Sequence, residues 1–195
     1  MCEMWFMEAK STQAKLLNGV ISITPRGYVD ALLTLHRILE DKNVEWTVGG
    51  DLGEALQTVN TEPDCIEILT TKEYAGKIFE ANSEFNPTKI SLEIQQLPRI
   101  AAIKGKEYPI FARSVYSEFK IGSIKVKVYG DLQYRIADWE WGDKVEFTPD
   151  YVYVVGKKTA VVPLSLKYEF YQSLGWTDRA EKIRQALDRR KAHRR

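Results

Sequence analysis

Residues 46–71, WTVGGDLGEALQTVNTEPDCIEILTT, hold the local patterns that decide the fold. Residues 45–48 alternate like a short strand that runs into Gly49 and Gly50. Residues 51–59 place leucine, alanine and valine on one face of a helix, with Asp51 at its N-terminus. A Pro-Asp turn then leads into the apolar residues 65–69, which predict a second strand. The stretch therefore predicts a strand, a glycine turn, a helix and a strand in succession.

The flanking sequence extends this pattern into an α+β domain. Apolar spacing predicts one helix before the stretch and another after it, followed by a series of strands and two C-terminal helices. Gly175 ends the first of these two helices, and Thr177 begins the second. We expect one domain with a mixed sheet and packed helices. The predicted helices are 28–42, 51–59, 72–81, 164–174 and 178–191, and the later strands lie near 89–95, 108–116, 124–129, 132–136 and 151–155. The predicted divisions are an N-terminal extension over 1–27, the α+β domain over 28–162 and a C-terminal helical pair over 163–195.

Composition narrows the class of protein. The 195 residues are 44% hydrophobic and 28% charged, which is typical of a soluble globular domain and excludes a disordered or collagen-like chain. Cys2 and Cys65 cannot form a disulfide framework, so we expect a reducing, cytoplasmic location. Since no apolar run approaches the roughly 20 residues that a membrane helix needs, we expect no membrane partner.

The strand–glycine–helix–strand pattern of residues 46–71 resembles the nucleotidyltransferase superfamily, the DNA-polymerase-beta-like group that includes antibiotic and minimal nucleotidyltransferases. In that family the glycine pair lets the backbone approach a triphosphate, and two carboxylates on the next strand hold the Mg²⁺ that bridges the phosphates. The resemblance implies that Gly49, Gly50 and Asp51 bind the nucleotide. It also implies transfer of a nucleoside monophosphate from an NTP to an acceptor hydroxyl, with Mg²⁺ as the cofactor.

The acidic positions depart from the family pattern. Aligned by its apolar residues, the strand puts Glu67 at the second acidic position and Cys65 at the first, while Asp64 lies one residue out of phase. Because side chains on a strand alternate between faces, Asp64 and Glu67 reach one metal only if a bulge intervenes. If the protein is active, Asp64 and Glu67 are its metal ligands.

The third acid of the family lies on a later strand, and residues 122–128 are its local counterpart. Lys125 and Lys127 occupy that segment, so the nearest acid is Asp131, beyond the strand. Asp131 is our candidate for the third catalytic carboxylate. Glu67 also has a second interpretation, as a strand residue paired with Lys127 across the sheet.

Two functions therefore remain open from the sequence. One is an active, Mg²⁺-dependent nucleotidyltransferase. The other is a catalytically degenerate member of the same fold that binds a nucleotide or a nucleic acid. A third hypothesis, a purely structural interaction protein, is distinguished from both by an empty cleft in the presence of ATP and Mg²⁺.

Basic residues concentrate at the C-terminus. From residue 178 onward there are eight basic and three acidic residues, a local charge of +5 that leaves the remainder of this +1 chain at −4. Such a segment predicts a contact with the phosphates of RNA or DNA, and its alternative is a solvated helix end. The candidate nucleic-acid contacts are Arg184, Arg189, Arg190, Lys191, Arg194 and Arg195. Trp139 and Trp141 could stack a base, although we favour packing against a hairpin.

Overall fold

The structure is a computed structural model that describes residues 16–17 and 25–192. Within these residues it has eight strands in one sheet and five α-helices. The strands are β1 Leu16–Leu17, β2 Thr47–Val48, β3 Ile66–Thr70, β4 Ser91–Ile103, β5 Lys106–Ile121, β6 Ile124–Ile136, β7 Asp150–Val154 and β8 Lys157–Val161. The helices are α1 Arg26–Leu39, α2 Gly50–Ala55, α3 Lys72–Ala81, α4 Leu164–Ser173 and α5 Thr177–Ala192. Most of the predicted 1–27 extension lies outside the described residues, as do Arg194 and Arg195.

The sheet is mixed, which confirms the predicted α+β fold. Its strand order is β1-β7-β8-β2-β3-β6-β5-β4. β2 pairs antiparallel with β3 and parallel with β8, and β3 pairs parallel with β6. Because parallel strands need a long crossover, α3 and the β4–β5 hairpin lie between β3 and β6 in the chain. This order places the glycine turn after β2 in the middle of the sheet.

One face of the sheet is covered by α1 and α3. Ile66 and Ile68 of β3 are fully buried beneath these helices, together with Leu32 of α1 and Ile78 of α3. Side chains alternate along a strand, so Glu67 lies on the opposite face. Thr71 caps α3, since its hydroxyl accepts a hydrogen bond from the amide of Tyr74 at 3.2 Å.

The C-terminal helices form a second core against the far ends of β4, β5 and β6. Leu164, Tyr171 and Ile183 are buried there beside Ile110 of β5. Gly175 ends α4 at a φ of +71°, and the amides of Gly175 and Trp176 donate to the carbonyls of Gln172 and Tyr171 in a Schellman motif. The predicted glycine stop is confirmed. None of the helices in the described part of the chain is long and apolar enough to cross a membrane.

The predicted boundaries were wrong at several places, and β4 and β5 extend well beyond the predicted 89–95 and 108–116. α2 ends at Ala55 instead of continuing to residue 59, because Thr58 adopts a left-handed φ of 69° and the chain turns there. The strands predicted near 124–129 and 132–136 are a single strand, β6, which continues through a positive φ at Asp131. β8 was missed, since its sequence KKTAV carries no strong alternation at its start.

Candidate functional site

The glycine turn lies directly against Glu67. The amide of Gly49 donates a hydrogen bond of 2.8 Å to the carbonyl of Glu67, which fixes the turn to β3. Gly50 has a φ of +54°, and a Cβ there would lie 2.6 Å from the carboxylate oxygen Oε2 of Glu67. Only glycine combines that backbone conformation with so close an approach. Gly50 and Glu67 therefore share one small cleft.

The strand register places a lysine next to Glu67. Glu67 of β3 lies opposite Lys127 of β6, with no shift along the β3–β6 pairing, so the predicted pairing of these residues across the sheet is confirmed. Burial raises the pKa of the Glu67 carboxyl, and the positive charges of Lys167 and Lys127 oppose that rise. The cleft thus holds a half-buried acid with an amine beside it.

Cys65 lies on the same face as Glu67. It is 4% exposed, and its Sγ is 4.0 Å from Oε1 of Glu67. Burial raises the pKa of the Cys65 thiol to about 12, so the thiol stays protonated at neutral pH. Cys65, Glu67 and Lys127 are therefore neighbours on one face of the sheet.

Asp64 precedes β3 and is exposed. Asp64 and Cys65 form a bend before β3, outside the β3–β6 pairing, so strand alternation does not fix the direction of the Asp64 side chain. The negative charge of Asp64 adds to the rise in the pKa of Glu67, after the larger effect of burial. Asp64 is thus near the cleft, and its role as a metal ligand stays a prediction.

Asp131 lies away from the cleft. Thr70, the last residue of β3, pairs with Gly130, so Asp131 follows the end of this pairing. It is four positions beyond Lys127, roughly 13 Å along a strand. Its carboxylate accepts hydrogen bonds from the Lys72 amide at 3.1 Å and from Nζ of Lys144 at 2.8 Å. The register carries Asp131 to the N-terminus of α3, and its role as the third catalytic carboxylate stays a prediction.

The donor set does not fit a catalytic metal. Among residues 16–17 and 25–192, no group of three or more histidine, cysteine, aspartate or glutamate side chains could hold an ion. A thiol that stays protonated and a lysine ammonium are not ligands for Mg²⁺, which prefers carboxylate oxygens. The resemblance implies three carboxylates around Mg²⁺, and of these the strand register provides one, Glu67.

Replacing Asp131 by alanine is expected to destabilise the fold by about 1 kcal/mol at pH 7, the usual effect of losing a helix-capping carboxylate. Although burial opposes ionisation, the hydrogen bonds from Lys144 and the Lys72 amide lower the pKa of Asp131. Stability from a lowered pKa is present above the unfolded value and is lost as the pH falls through the folded one. Urea unfolding at pH 7 and below pH 3.8 measures this, and the difference between the two proteins should shrink in acid. Asp143→Ala, at an exposed residue, is the control. An equal loss of stability in this variant would contradict the capping role of Asp131.

A buried polar cluster adjoins the glycine turn, and sequence reasoning missed it. We call Glu54, Lys167, Tyr171 and Arg179 the α2 cluster. Nζ of Lys167 donates to the Gly50 carbonyl at 2.5 Å and to Oε1 of Glu54 at 2.7 Å. The hydroxyl of Tyr171 donates to the same oxygen, and Arg179 lies 3.4 Å from Oε2. The C-terminal helices therefore contact the glycine turn through the bond from Lys167 to the Gly50 carbonyl.

The α2 cluster also explains the behaviour of Asp51. Asp51, predicted to bind nucleotide, forms an ion pair with Arg179. Its charge is thereby offset before it can repel a phosphate. The available signal for the cluster was a lysine within the apolar pattern of α4, where Lys167 stands between Leu166 and Tyr168. A buried lysine requires a partner, and the sequence could not identify Glu54 as that partner.

Further lysines share the sheet face of Glu67. Lys120 of β5 lies opposite Lys125 of β6, and Glu118 lies opposite Lys127. None of these three lysines has a carboxylate within 4.0 Å in the described part of the chain. A cavity of about 250 Å³ opens beside Lys120 and Lys125, between Glu118 and the ring of Phe85. The face therefore carries cations that have no ionic partner among the described residues.

The basic residues of α5 are largely engaged within the protein. Arg184 bonds to Glu181 at 2.7 Å and to Asp188 at 2.9 Å. Arg189 donates to the carbonyl of Thr58, and Arg190 donates to that of Gln57. Contact with RNA or DNA through this tail stays a prediction, with less basic charge accessible than the sequence suggested.

The tryptophans after β6 pack against its hairpin. The guanidinium groups of Arg113 and Arg135 lie 4.5 and 4.8 Å from the ring centre of Trp141. Trp139 packs against Tyr108 at a centroid distance of 5.8 Å. The predicted packing of these tryptophans against a hairpin is confirmed.

Comparison with known proteins gives structural matches. A candidate nucleotidyltransferase from Thermotoga maritima matches 86% of this chain and 96% of its own, at 28% identity and a TM-score of 0.63. The antibiotic-resistance factor ANT(2'')-Ia, in complex with adenylyl-2''-tobramycin, matches 86% of this chain and 91% of its own at 10% identity and a TM-score of 0.49. The lincomycin-bound lincosamide antibiotic adenylyltransferase LnuA matches 80% and 96%, at 11% identity and a TM-score of 0.48. No protein-family model and no curated protein matches the sequence.

The fold and the comparisons define the class of this protein. The chain has the nucleotidyltransferase fold, and the Thermotoga maritima structure is similar to it over most of both chains. The resemblance predicted from residues 46–71 to the nucleotidyltransferase superfamily is confirmed.

Proposed function

We propose that this protein is a nucleotide-binding member of the nucleotidyltransferase superfamily that has lost the catalytic metal site and binds a nucleoside triphosphate without Mg²⁺. The observation that supports this most is the pairing of Lys127 with Glu67 beside Gly50. The resemblance leads us to expect an acid on this strand segment, and the chain has Lys125 and Lys127 there.

A lysine at that position changes the charge that a triphosphate would meet. Three carboxylates need a divalent cation before a triphosphate can approach them, because like charges repel. Lys127 instead supplies a fixed positive charge next to the one aligned carboxylate, Glu67. Such an ammonium interacts directly with phosphate oxygens through charge-assisted hydrogen bonds.

The surroundings of the cleft support the same function. The Gly49–Gly50 backbone leaves room for a close approach, and Asp51 is already paired with Arg179. Lys120 and Lys125 extend the positive charge along the Glu67 face, with no carboxylate within 4.0 Å of either in the described residues. A polyphosphate chain is the ligand class that fits a row of unpaired cations beside a glycine turn.

Titration of the protein with a fluorescent ATP analogue tests the proposal, with EDTA in one series and Mg²⁺ in the other. We expect binding in EDTA. Lys127→Met should weaken it by about tenfold, equal to about 1.4 kcal/mol. Glu67→Gln removes a negative charge at constant volume, so binding should be retained or become tighter. Lys106→Met, an exposed lysine at the start of β5, is the matched control and should bind as the wild type does.

The active enzyme gives the opposite pattern. If Asp64 and Glu67 hold Mg²⁺ for transfer of a nucleoside monophosphate, binding needs the metal, and Glu67→Gln abolishes both binding and transfer of labelled AMP to an acceptor. That result would overturn the proposal. Absence of binding in both series would overturn it as well, and would favour a structural interaction protein.

A further inference from the structure

The last strand of the sheet has an outer edge that pairs with no other strand among the described residues. β4, Ser91–Ile103, is 13 residues long and lies at one end of the strand order. Its partner in the described part of the chain is β5, so its other edge presents backbone amides and carbonyls that no described strand uses. Native edge strands are usually short or protected by lysine, proline or a bulge. β4 has its proline and bulge only after Gln96.

The exposed side of β4 is apolar. Leu92 is 69% exposed and Ile94 is 57% exposed, and with Gln96 they share one face of the strand. The other face is polar and ordered along the strand. There, Oε1 of Glu93 accepts a hydrogen bond from Ser91 at 3.1 Å, and Oε2 accepts one from Gln95 at 3.0 Å. Residues 91–96 thus form an amphipathic edge with one carboxylate and no cation.

We propose that β4 pairs with β4 of a second copy of this chain, antiparallel about a two-fold axis at Ile94, to form one continuous sheet. This inference is independent of the nucleotide cleft, which lies at the centre of each sheet. A two-fold pairing is isologous, so each strand must complement itself.

An axis at Ile94 meets that condition. With the axis at Ile94, the two Ile94 side chains face each other and Leu92 faces the partner's Gln96. On the polar face, Glu93 lies opposite the partner's Gln95, whose amide is a donor for the carboxylate. Moving the axis by one residue to Glu93 would oppose two carboxylates, which is unfavourable. The facing Ile94 pair and the Glu93–Gln95 pair therefore support a second copy as the occupant.

Sedimentation equilibrium of the full chain tests the association. We expect a mass twice the 22.4 kDa of one chain. Ile94→Lys should restore the monomer, because it opposes two ammonium groups at the axis. Val155→Lys is the matched control, since Val155 is also an exposed apolar residue, at 69%, and lies in the β7–β8 turn. A monomeric wild type at about 0.1 mM, where even weak association becomes populated, would overturn the proposal. So would an Ile94→Lys variant that stays dimeric.

Cysteine cross-linking fixes the register and does not depend on how the lysine variant folds. In a Cys2→Ser background, Ile94→Cys should form an intermolecular disulfide on mild oxidation. Opposed residues of an antiparallel pair have Cα atoms about 4.5–5.5 Å apart, within disulfide range. Leu92→Cys is the register control, because its two copies would be separated by about 13 Å along the strands. Equal cross-linking of both variants, or of neither, would overturn the two-fold axis at Ile94.

Discussion

Replacing Lys167 by methionine is expected to lower the free energy of unfolding by about 3–5 kcal/mol, the range for breaking a buried ion pair on one side. Lys167 is 7% exposed and Glu54 is 2% exposed, so the carboxylate has little access to water when the ammonium is removed. Methionine keeps most of the volume and loses both the bond to Glu54 and the bond to the Gly50 carbonyl. Urea unfolding followed by circular dichroism measures the difference.

Two further variants separate the lost charge pair from a general effect of removing a lysine. Lys182→Met, on the exposed side of α5, should change the unfolding free energy by less than about 0.5 kcal/mol. Glu54→Gln combined with Lys167→Met removes both charges and should recover part of the loss, because no buried charge is left without its partner. If Lys167→Met is no more destabilised than Lys182→Met, the α2 cluster does not stabilise the fold.

Gly175→Ala is expected to cost about 2–5 kcal/mol, the sum of left-handed backbone strain and overpacking. Gly175 has a φ of +71°, and a Cβ there would lie 2.3 Å from the backbone carbonyl oxygen of Ala102. A backbone atom cannot move aside as a side chain does. The adjacent bond from the Ala102 amide to the Leu174 carbonyl, 2.8 Å long, ties β4 to the turn between α4 and α5.

Gly156→Ala is the control for Gly175→Ala. Gly156 has a φ of +79° in the β7–β8 turn, and no atom lies within 4 Å of its added Cβ. This variant shows the backbone strain alone, about 1–2 kcal/mol. Thermal or urea unfolding of the two variants should therefore differ by the cost of the contact with Ala102. Equal losses of unfolding free energy would show that the turn between α4 and α5 moves without displacing β4.

Much of the fold could be predicted because its signals are local. The glycine turn and the stop at Gly175 each depend on a few neighbouring residues. The order of strands could not be predicted, since the pairing of Val48 with Val161 joins segments that no local pattern connects. β8 was missed for a related reason: its short, partly polar sequence becomes a strand through its partners β2 and β7.

The candidate site shows the same limit. The period of a strand was enough to place Glu67 and Cys65 on one face. It does not apply to Asp64, which lies in a bend before β3. The position of Asp131 could be predicted only from the register of β6 against β3. That position depends on where β3 ends and on the left-handed backbone of Asp131 itself. The α2 cluster joins Glu54 to Lys167 across more than one hundred residues, and no pattern in either segment predicts its contact with the other.

The sheet order has a consequence for how the chain is made on the ribosome. β2 lies between β3 and β8, so an edge of β2 stays open until residues 157–161 have been synthesised. The bonds from Lys167 to Gly50 and from Arg190 to Gln57 form later still. A nascent chain that already contains β2 to β6 therefore carries an open strand edge and a buried acid without its lysine. Chaperones and proteases bind unpaired strand edges of growing chains. This protein is therefore most accessible to both if translation pauses before residue 157.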